Sequence, residues 1–206
     1  MAYDFLDRLA TPAVEAARVA NGAGGLWETL GGDHASAAFT DLEAAFIAAR
    51  DSFYLASVSQ TGWPYIQHRG GPPGFLRVLD DTTLGFADYR GNRQYLTLGA
   101  VADDDRVALF LIDYPHRRRL KILAHTTAHD LNAEPDLAGR LANPEYRAVA
   151  ERAFTLRLAA FDWNCSQHIM PRFTPAEIEA ASAPLHERIA ALEAENARLR
   201  AREQQS

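Results

Sequence analysis

Between Ser52 and Asp130 the sequence is a succession of short β-type segments, and this constrains the fold more than any other feature. "SFYLASVS" and "WPYIQHRGG" are joined at a turn around Gly62, "GFLRVLD" and "TLGFAD" at a polar "DDT", and "RVALFLIDY" and "RRLKILAHTTAHD" flank the break at Pro115. Each segment is rich in aromatic and β-branched residues and is bounded by turn formers. The segments follow one another at short spacing without the helices of roughly 10 to 15 residues that βαβ units require. A parallel sheet is therefore excluded, and about six strands in an antiparallel barrel are expected.

Helical patterns flank this core. Residues 1–39 carry helical fragments separated by glycine, "NGAGG" from Asn21 and "LGGD" from Leu30, and read as an N-terminal helical arm. Thr40, with Glu43 three residues on, forms a capping-box pattern that opens a helix running to about Arg50 and begins the main domain, residues 40–173. Residues 132–159 return to helical periodicity. From Pro175 the chain turns to Ala, Glu, Leu and Arg with no glycine, and Ile178, Leu185, Leu192 and Leu199 recur every seven residues, with Ile189 and Asn196 between them. Residues 174–206 thus read as a coiled-coil-like helix and a dimer contact. A solitary solvated helix is the competing reading, because Ser182 weakens one layer.

The charge balance, 21 basic against 27 acidic residues, gives −6 and disfavours a nucleic-acid surface or a polybasic membrane anchor. The partners expected are small molecules or protein. The single Cys165 forms no intrachain disulfide and no CxxC pair, which fits a reducing compartment, and it reads as a small buried hydrophobe. The start "MAYDFLDRLA" lacks a signal-peptide pattern, and the apolar run "VALFLI" is too short to span a bilayer, so a cytoplasmic location is expected. His125, His129 and His168 have no metal-ligand spacing, and no metal is assigned.

The segment "GFADYRGNRQY", from Gly85 to Tyr95, collects hydrogen-bond donors at a strand end. Two readings are open. Arg90 and Arg93 are either solvated charges paired with Asp80, Asp88 or Asp103, or, with the amides of the Gly91 turn, one half of an anion site. "QHRGGPPG", from Gln67 to Gly74, is a second cationic point at another strand end, and two such points suggest a phosphate.

The ordered blocks "GWPYIQHRGG", "FLRVLDDTTLGFADYRGNRQY", "DDDRVALFLIDYPHRRRLKIL" and "DWNCSQHIMPRF" resemble the pyridoxamine 5'-phosphate oxidase-like family of FMN-binding split barrels over roughly Arg50 to Phe173. The resemblance implies a mainly β, α+β protein: a six-stranded antiparallel split β-barrel, homodimeric, with FMN in a cleft between subunits. It implies that Arg69, with His68 and Gly70 beside it, and Asn92, Arg93 and Gln94 in the turn after Gly91 cradle the ribityl phosphate. Backbone groups of Phe86, Ala87 and Asp88 would run beside the isoalloxazine edge, Arg119 would reach the flavin of the opposite subunit, and Trp163 with Gln167 would wall the cleft. For Trp163, a core tryptophan with a buried amide network is equally open.

The sequence departs from the family pattern at Arg119, where the family often carries glutamine, and at three further places. Gln94 stands where the phosphate turn carries lysine, Gly91 to Arg106 is a few residues longer, and the region of the oxidases' C-terminal arginine and histidine cluster reads "IMPRFTPAEIEAA", where Arg172 alone remains. The expected function is an FMN-dependent oxidoreductase moving hydride or electrons between flavin and a small molecule other than vitamin B6. No catalytic side chain is assigned. A nonenzymatic flavin- or haem-binding sensor or storage module is the alternative.

Overall fold

The computed structural model describes residues 3–25, 38–164 and 166–204. Two compact units divide the chain: Met1–Asp113 with Arg118–Gln167, and Tyr114–Arg117 with His168–Ser206.

The first unit opens with two short helices, α1 (Tyr3–Leu9) and α2 (Pro12–Ala20), the second capped by Thr11. The glycine stretch from Leu30 lies outside the described residues. Helix α3 (Asp41–Ala48) starts at the expected capping box, in which the Thr40 hydroxyl and backbone N–H donate to Glu43. Seven strands follow: β1 (Ser52–Val58), β2 (Pro64–Gly70), β3 (Arg77–Val78), β4 (Thr83–Tyr89), β5 (Arg106–Asp113), β6 (Arg118–His129) and β7 (Ala150–Asn164). Helix α4 (Leu96–Val101) lies between β4 and β5, and α5 (Pro135–Leu141) between β6 and β7.

The strands form one antiparallel sheet in the order β2-β1-β5-β6-β7-β4-β3. No backbone ladder joins β2 to β3 or β4, so the sheet is not closed. The fold is mainly β with helices, but it has seven strands where six were expected. The additional strand is β7, which begins inside the stretch 132–159 whose periodicity reads as helical and runs past its end; only Pro135–Leu141 of that stretch is α-helix. Alanine and arginine give "AERAFTLRLAAF" a helical composition, yet Phe154, Leu156 and Leu158 recur every second residue and are buried. Unpaired edges of β4 and β6 on either side supply the ladder that fixes it as a strand, an instance of tertiary pairing overriding local preference.

Alternation sorts the side chains. Phe53 and Leu55 from β1, Leu109 and Leu111 from β5, Leu120 and Ile122 from β6, Phe154 and Leu156 from β7, and Leu84 and Phe86 from β4 all face one core and are nearly solvent-free. Phe86 sits at its centre, edge-to-face with Phe53 at 5.3 Å and stacked on Phe154 at 5.4 Å. Each such side chain contributes about 1.5 to 3 kcal/mol by leaving water. The same alternation carries polar residues to one end of the core: Arg69 lies opposite Phe53, and Asp88 follows Phe86 by two positions.

The second unit consists mainly of α6 (Pro175–Glu203), a helix of 29 residues capped by Thr174 and Glu177 in a second capping box. Within this unit the Arg172 guanidinium lies over the Tyr114 ring, 4.7 Å from its centre.

Candidate functional site

At the polar end of the core lies a cleft of about 180 Å³ whose walls come from β2, the end of β4, the turn after it, α4 and the start of β7. From β2, Tyr65, Gln67 and Arg69 face the cleft, while the intervening His68 points to the other side of the strand. The Tyr65 hydroxyl donates to Gln67 on the same face.

Asp88 holds the centre. One carboxylate oxygen accepts from Arg69 at 2.6 Å and the other from Arg152 at 2.8 Å. All three side chains are largely buried, at 9% exposure for Asp88 and 17 to 18% for the arginines. Arg152 also stands 3.5 Å from Glu151 and lies over the Tyr95 ring. Glu151 accepts from Arg90 at 2.8 Å and from the Tyr95 hydroxyl; the Arg90 bond is the main cause holding its carboxyl below the ordinary range. The lining arginines, Arg69, Arg93 and Arg152, outnumber the lining carboxylates, Asp88 and Glu151, so the cleft is net cationic in an acidic protein.

The turn after β4 is the other notable wall. Arg93 and Tyr95 adopt left-handed backbone angles, φ 61° and 54°, which are uncommon for residues with a side chain. Asn92 steadies the turn by accepting the Gln94 backbone N–H at 3.1 Å while its amide donates to the Gln94 side chain at 3.1 Å. Among the described residues Arg93 has no ion pair. Among the described residues the buried Arg69 Nε–H also has no hydrogen-bond partner, a donor of a kind that native proteins seldom leave unsatisfied. A tetrahedral anion suits the guanidinium side chains of Arg69, Arg93 and Arg152, which line the cleft from β2, the turn and β7.

Of the residues singled out from the sequence, Arg69, Asp88, Asn92, Arg93 and Gln94 come together around this cleft. Arg90 and Arg93 take none of the aspartate partners that the surface-charge reading offered. The remaining candidates lie elsewhere. His68 is exposed and packs edge-on to Tyr54, and Gly70 ends β2. Phe86 is a core residue, and Ala87 lies on the opposite face in a small cluster with Leu141 and Ala153. β3 pairs only with Leu84 and Gly85, so the outer edge of β4 from Phe86 to Asp88 has no ladder, although these residues are only 1 to 7% exposed. Arg119 stands on β6 opposite Ile112, on the face away from Leu120 and Ile122, and Gln167 is exposed beyond β7. Trp163 donates to Glu43 at 2.6 Å, meets Phe46 edge-on at 4.7 Å and lies beneath Arg118, so it anchors α3 to the sheet. Cys165 lies outside the described residues.

Sequence reasoning missed Arg152 and Glu151. The alternation of Arg152, Phe154, Leu156 and Leu158 is the signal that reveals Arg152 as the inward-facing member of a strand.

An open antiparallel sheet with a net cationic cleft at the end of its core is what the structure presents, and comparison with known proteins places the chain in a family. Residues 39–166 match the family model described as pyridoxamine 5'-phosphate oxidase, which is more than half of the chain, and the chain belongs to that family. No curated protein matches it. Among solved structures it is similar to a candidate pyridoxamine 5'-phosphate oxidase from Lactobacillus delbrueckii, at 19% identity over 62% of this chain and 96% of that one, with a TM-score of 0.47. An FMN-binding protein from Syntrophomonas wolfei aligns at 16% identity over 60% of this chain and 86% of that one, TM-score 0.44. An F420 reductase aligns at 18% over 56% and 93%, TM-score 0.41. Among the described residues no helix is long and apolar enough to cross a membrane, and no cluster of ligating side chains could hold a metal ion.

Proposed function

We propose that this protein binds FMN through the cleft and serves as an oxidoreductase on a small molecule other than a vitamin B6 phosphate. The observation that carries the reading is the convergence of Arg69, Arg93 and Arg152 on one net cationic cleft. At about 180 Å³ the cleft is smaller than the roughly 300 to 1,000 Å³ of sites that enclose a whole ligand, so it suits a phosphate end with the ring system outside. Arg69 and Arg93 are the residues to hold the phosphate, and Arg152 adds a third cation. When bound, FMN supplies two-electron chemistry at its ring; the chain's part is to bind it, orient it and exclude water. A homodimer with a flavin site between subunits is part of the proposal.

The substrate side rests on Arg172. In place of an arginine and histidine cluster it stands alone, and its guanidinium is engaged over Tyr114. Pyridoxine and pyridoxamine phosphates are therefore expected to be poor substrates.

The test is to purify the protein, record its visible spectrum, and titrate the apoprotein with FMN and with riboflavin. Flavin bands with FMN binding at least tenfold tighter than riboflavin support the reading. A Soret band, or equal affinities for the two flavins, overturns it. A peroxide-coupled assay with pyridoxine phosphate then checks the substrate side, where efficient turnover would defeat the exclusion.

A further inference from the structure

Helix α6 runs roughly 43 Å at 1.5 Å per residue, and none of its residues is buried. Its large apolar side chains, Ile178, Leu185, Ile189, Leu192 and Leu199, are 41 to 66% exposed. They are spaced three, four and seven apart, so they form one stripe along the helix. Helical stability in water normally comes from packing such a stripe, and among the described residues of its own unit nothing packs on it. The helix carries six glutamates against four arginines, so an anionic lipid surface is a poor partner.

We infer that α6 pairs with α6 of a second copy of this chain as a parallel two-stranded coiled coil. With Ile178, Leu185, Leu192 and Leu199 at d, positions a are Ser182, Ile189 and Asn196. Arg188 at g then meets the partner's Glu193 at e, and Glu195 meets the partner's Arg200, each twice per pair by symmetry. Charges at g and e are also compatible with an antiparallel pair, where Arg188 faces Glu195. Asn196 decides between them. In the parallel arrangement the two Asn196 amides lie level and hydrogen-bond each other, whereas the antiparallel one sets each against Leu185 and strands it. Ser182 does not spoil its layer, because its hydroxyl donates to the Glu179 carbonyl of its own helix at 3.1 Å. Pro184 falls at c, away from the seam.

The test uses the full chain with Cys165→Ser, carrying one new cysteine at a time. Leu199→Cys places two thiols face to face at d in the parallel pair, and air oxidation is expected to give a nearly complete disulfide-linked dimer; Ala201→Cys, at the outward f position, is expected to give little. Arg188→Glu sets glutamates opposite Glu193 and should weaken pairing roughly tenfold in a dilution series, with Arg188→Glu plus Glu193→Arg restoring it. Three results overturn the inference: equal linkage at 199 and 201, linkage of Leu199→Cys only to a Ser182→Cys partner, which is the antiparallel pair, and no rescue by the charge swap. Because the readout is a linkage at a chosen residue of α6, a dimer held solely elsewhere in the chain does not mimic it.

Discussion

The Arg69 guanidinium donates to the Asp88 carboxylate at 2.6 Å, joining edge strand β2 to β4 across the side of the sheet that no backbone ladder closes. Arg152, from β7, takes the other oxygen of the same carboxylate, so one anion sets the positions of two cations that face the cleft. Removing one partner of a buried ion pair leaves the others uncompensated. Asp88→Asn is therefore expected to lower the stability of the free protein by about 3 kcal/mol. A bound phosphate replaces part of the missing charge, so saturating FMN should raise the melting temperature more in Asp88→Asn than in the wild type, and riboflavin should not. Thermal melts with each ligand check this; equal shifts in the two proteins would show that the arginines do not meet the phosphate.

Arg93 and Arg152 differ in what holds them. Arg93 stands on a left-handed turn and has no ion pair among the described residues, whereas Arg152 is tied to Asp88. Arg93→Ala removes a charge-assisted contact alone and should weaken FMN binding by roughly 1.5 to 3 kcal/mol, about tenfold to more than a hundredfold, while leaving stability unchanged. Arg152→Ala also leaves Asp88 with one cation fewer, so it should weaken FMN at least as much and destabilise the free protein as well. Riboflavin affinity should stay within about twofold in both variants. Fluorescence titration with the two flavins measures this, and matched losses for FMN and riboflavin would remove the phosphate role.

What was legible in the sequence follows from how local each signal is. The Thr40 and Glu43 capping box, the hairpin around Gly62 and the β5–β6 pair are set by residues within a few positions of one another, and the structure has them where the pattern puts them. Strand β7 is not local: its partners, β4 and β6, lie well before it in the chain, and only they distinguish its alternation from an alanine-rich helix. Arg152 went unseen with it. The convergence of Arg69 with the Arg93 turn was visible as two cationic strand ends, but the carboxylate between them was legible only as a backbone position beside a flavin. Its role as the clamp between two arginines depends on the curl of the sheet. Trp163 had two open readings, and its bond to Glu43 depends on a contact 120 residues apart in sequence.

Glu43 joins the cap of α3 to Trp163. Burial pushes its carboxyl up, but bonds from the Thr40 hydroxyl, the Trp163 indole and the Thr40 backbone together outweigh it and hold the group below its ordinary range. A depressed carboxylate stabilises the fold above its unfolded value, about 4.3, and that contribution is lost as pH falls through the lower folded value. Glu43→Gln should therefore cost about 1 to 2 kcal/mol at pH 7. The gap to the wild type should hold down to about pH 5 and narrow below pH 4. Urea midpoints across this range, followed by circular dichroism, give the comparison; a gap independent of pH would mean that shape rather than charge carries the contribution.

Ser57 is 2% exposed on the inward side of β1, and its hydroxyl has no hydrogen-bond partner among the described residues. It borders a groove of about 520 Å³ with Val58, Val107, Ala108 and Leu123, and although Asp104 and His125 also line that groove, neither bonds the hydroxyl. A buried hydroxyl without a partner costs about 1 to 3 kcal/mol in lost hydration, and removing it recovers part of that cost while leaving a space of only one oxygen atom. Ser57→Ala is therefore expected to stabilise the protein by about 1 kcal/mol, moving the urea midpoint upward with the slope unchanged. A loss of stability of similar size would mean instead that an ordered water in the groove satisfies the hydroxyl, and a water-mediated bond would then explain why a polar residue stands among the core side chains of β1.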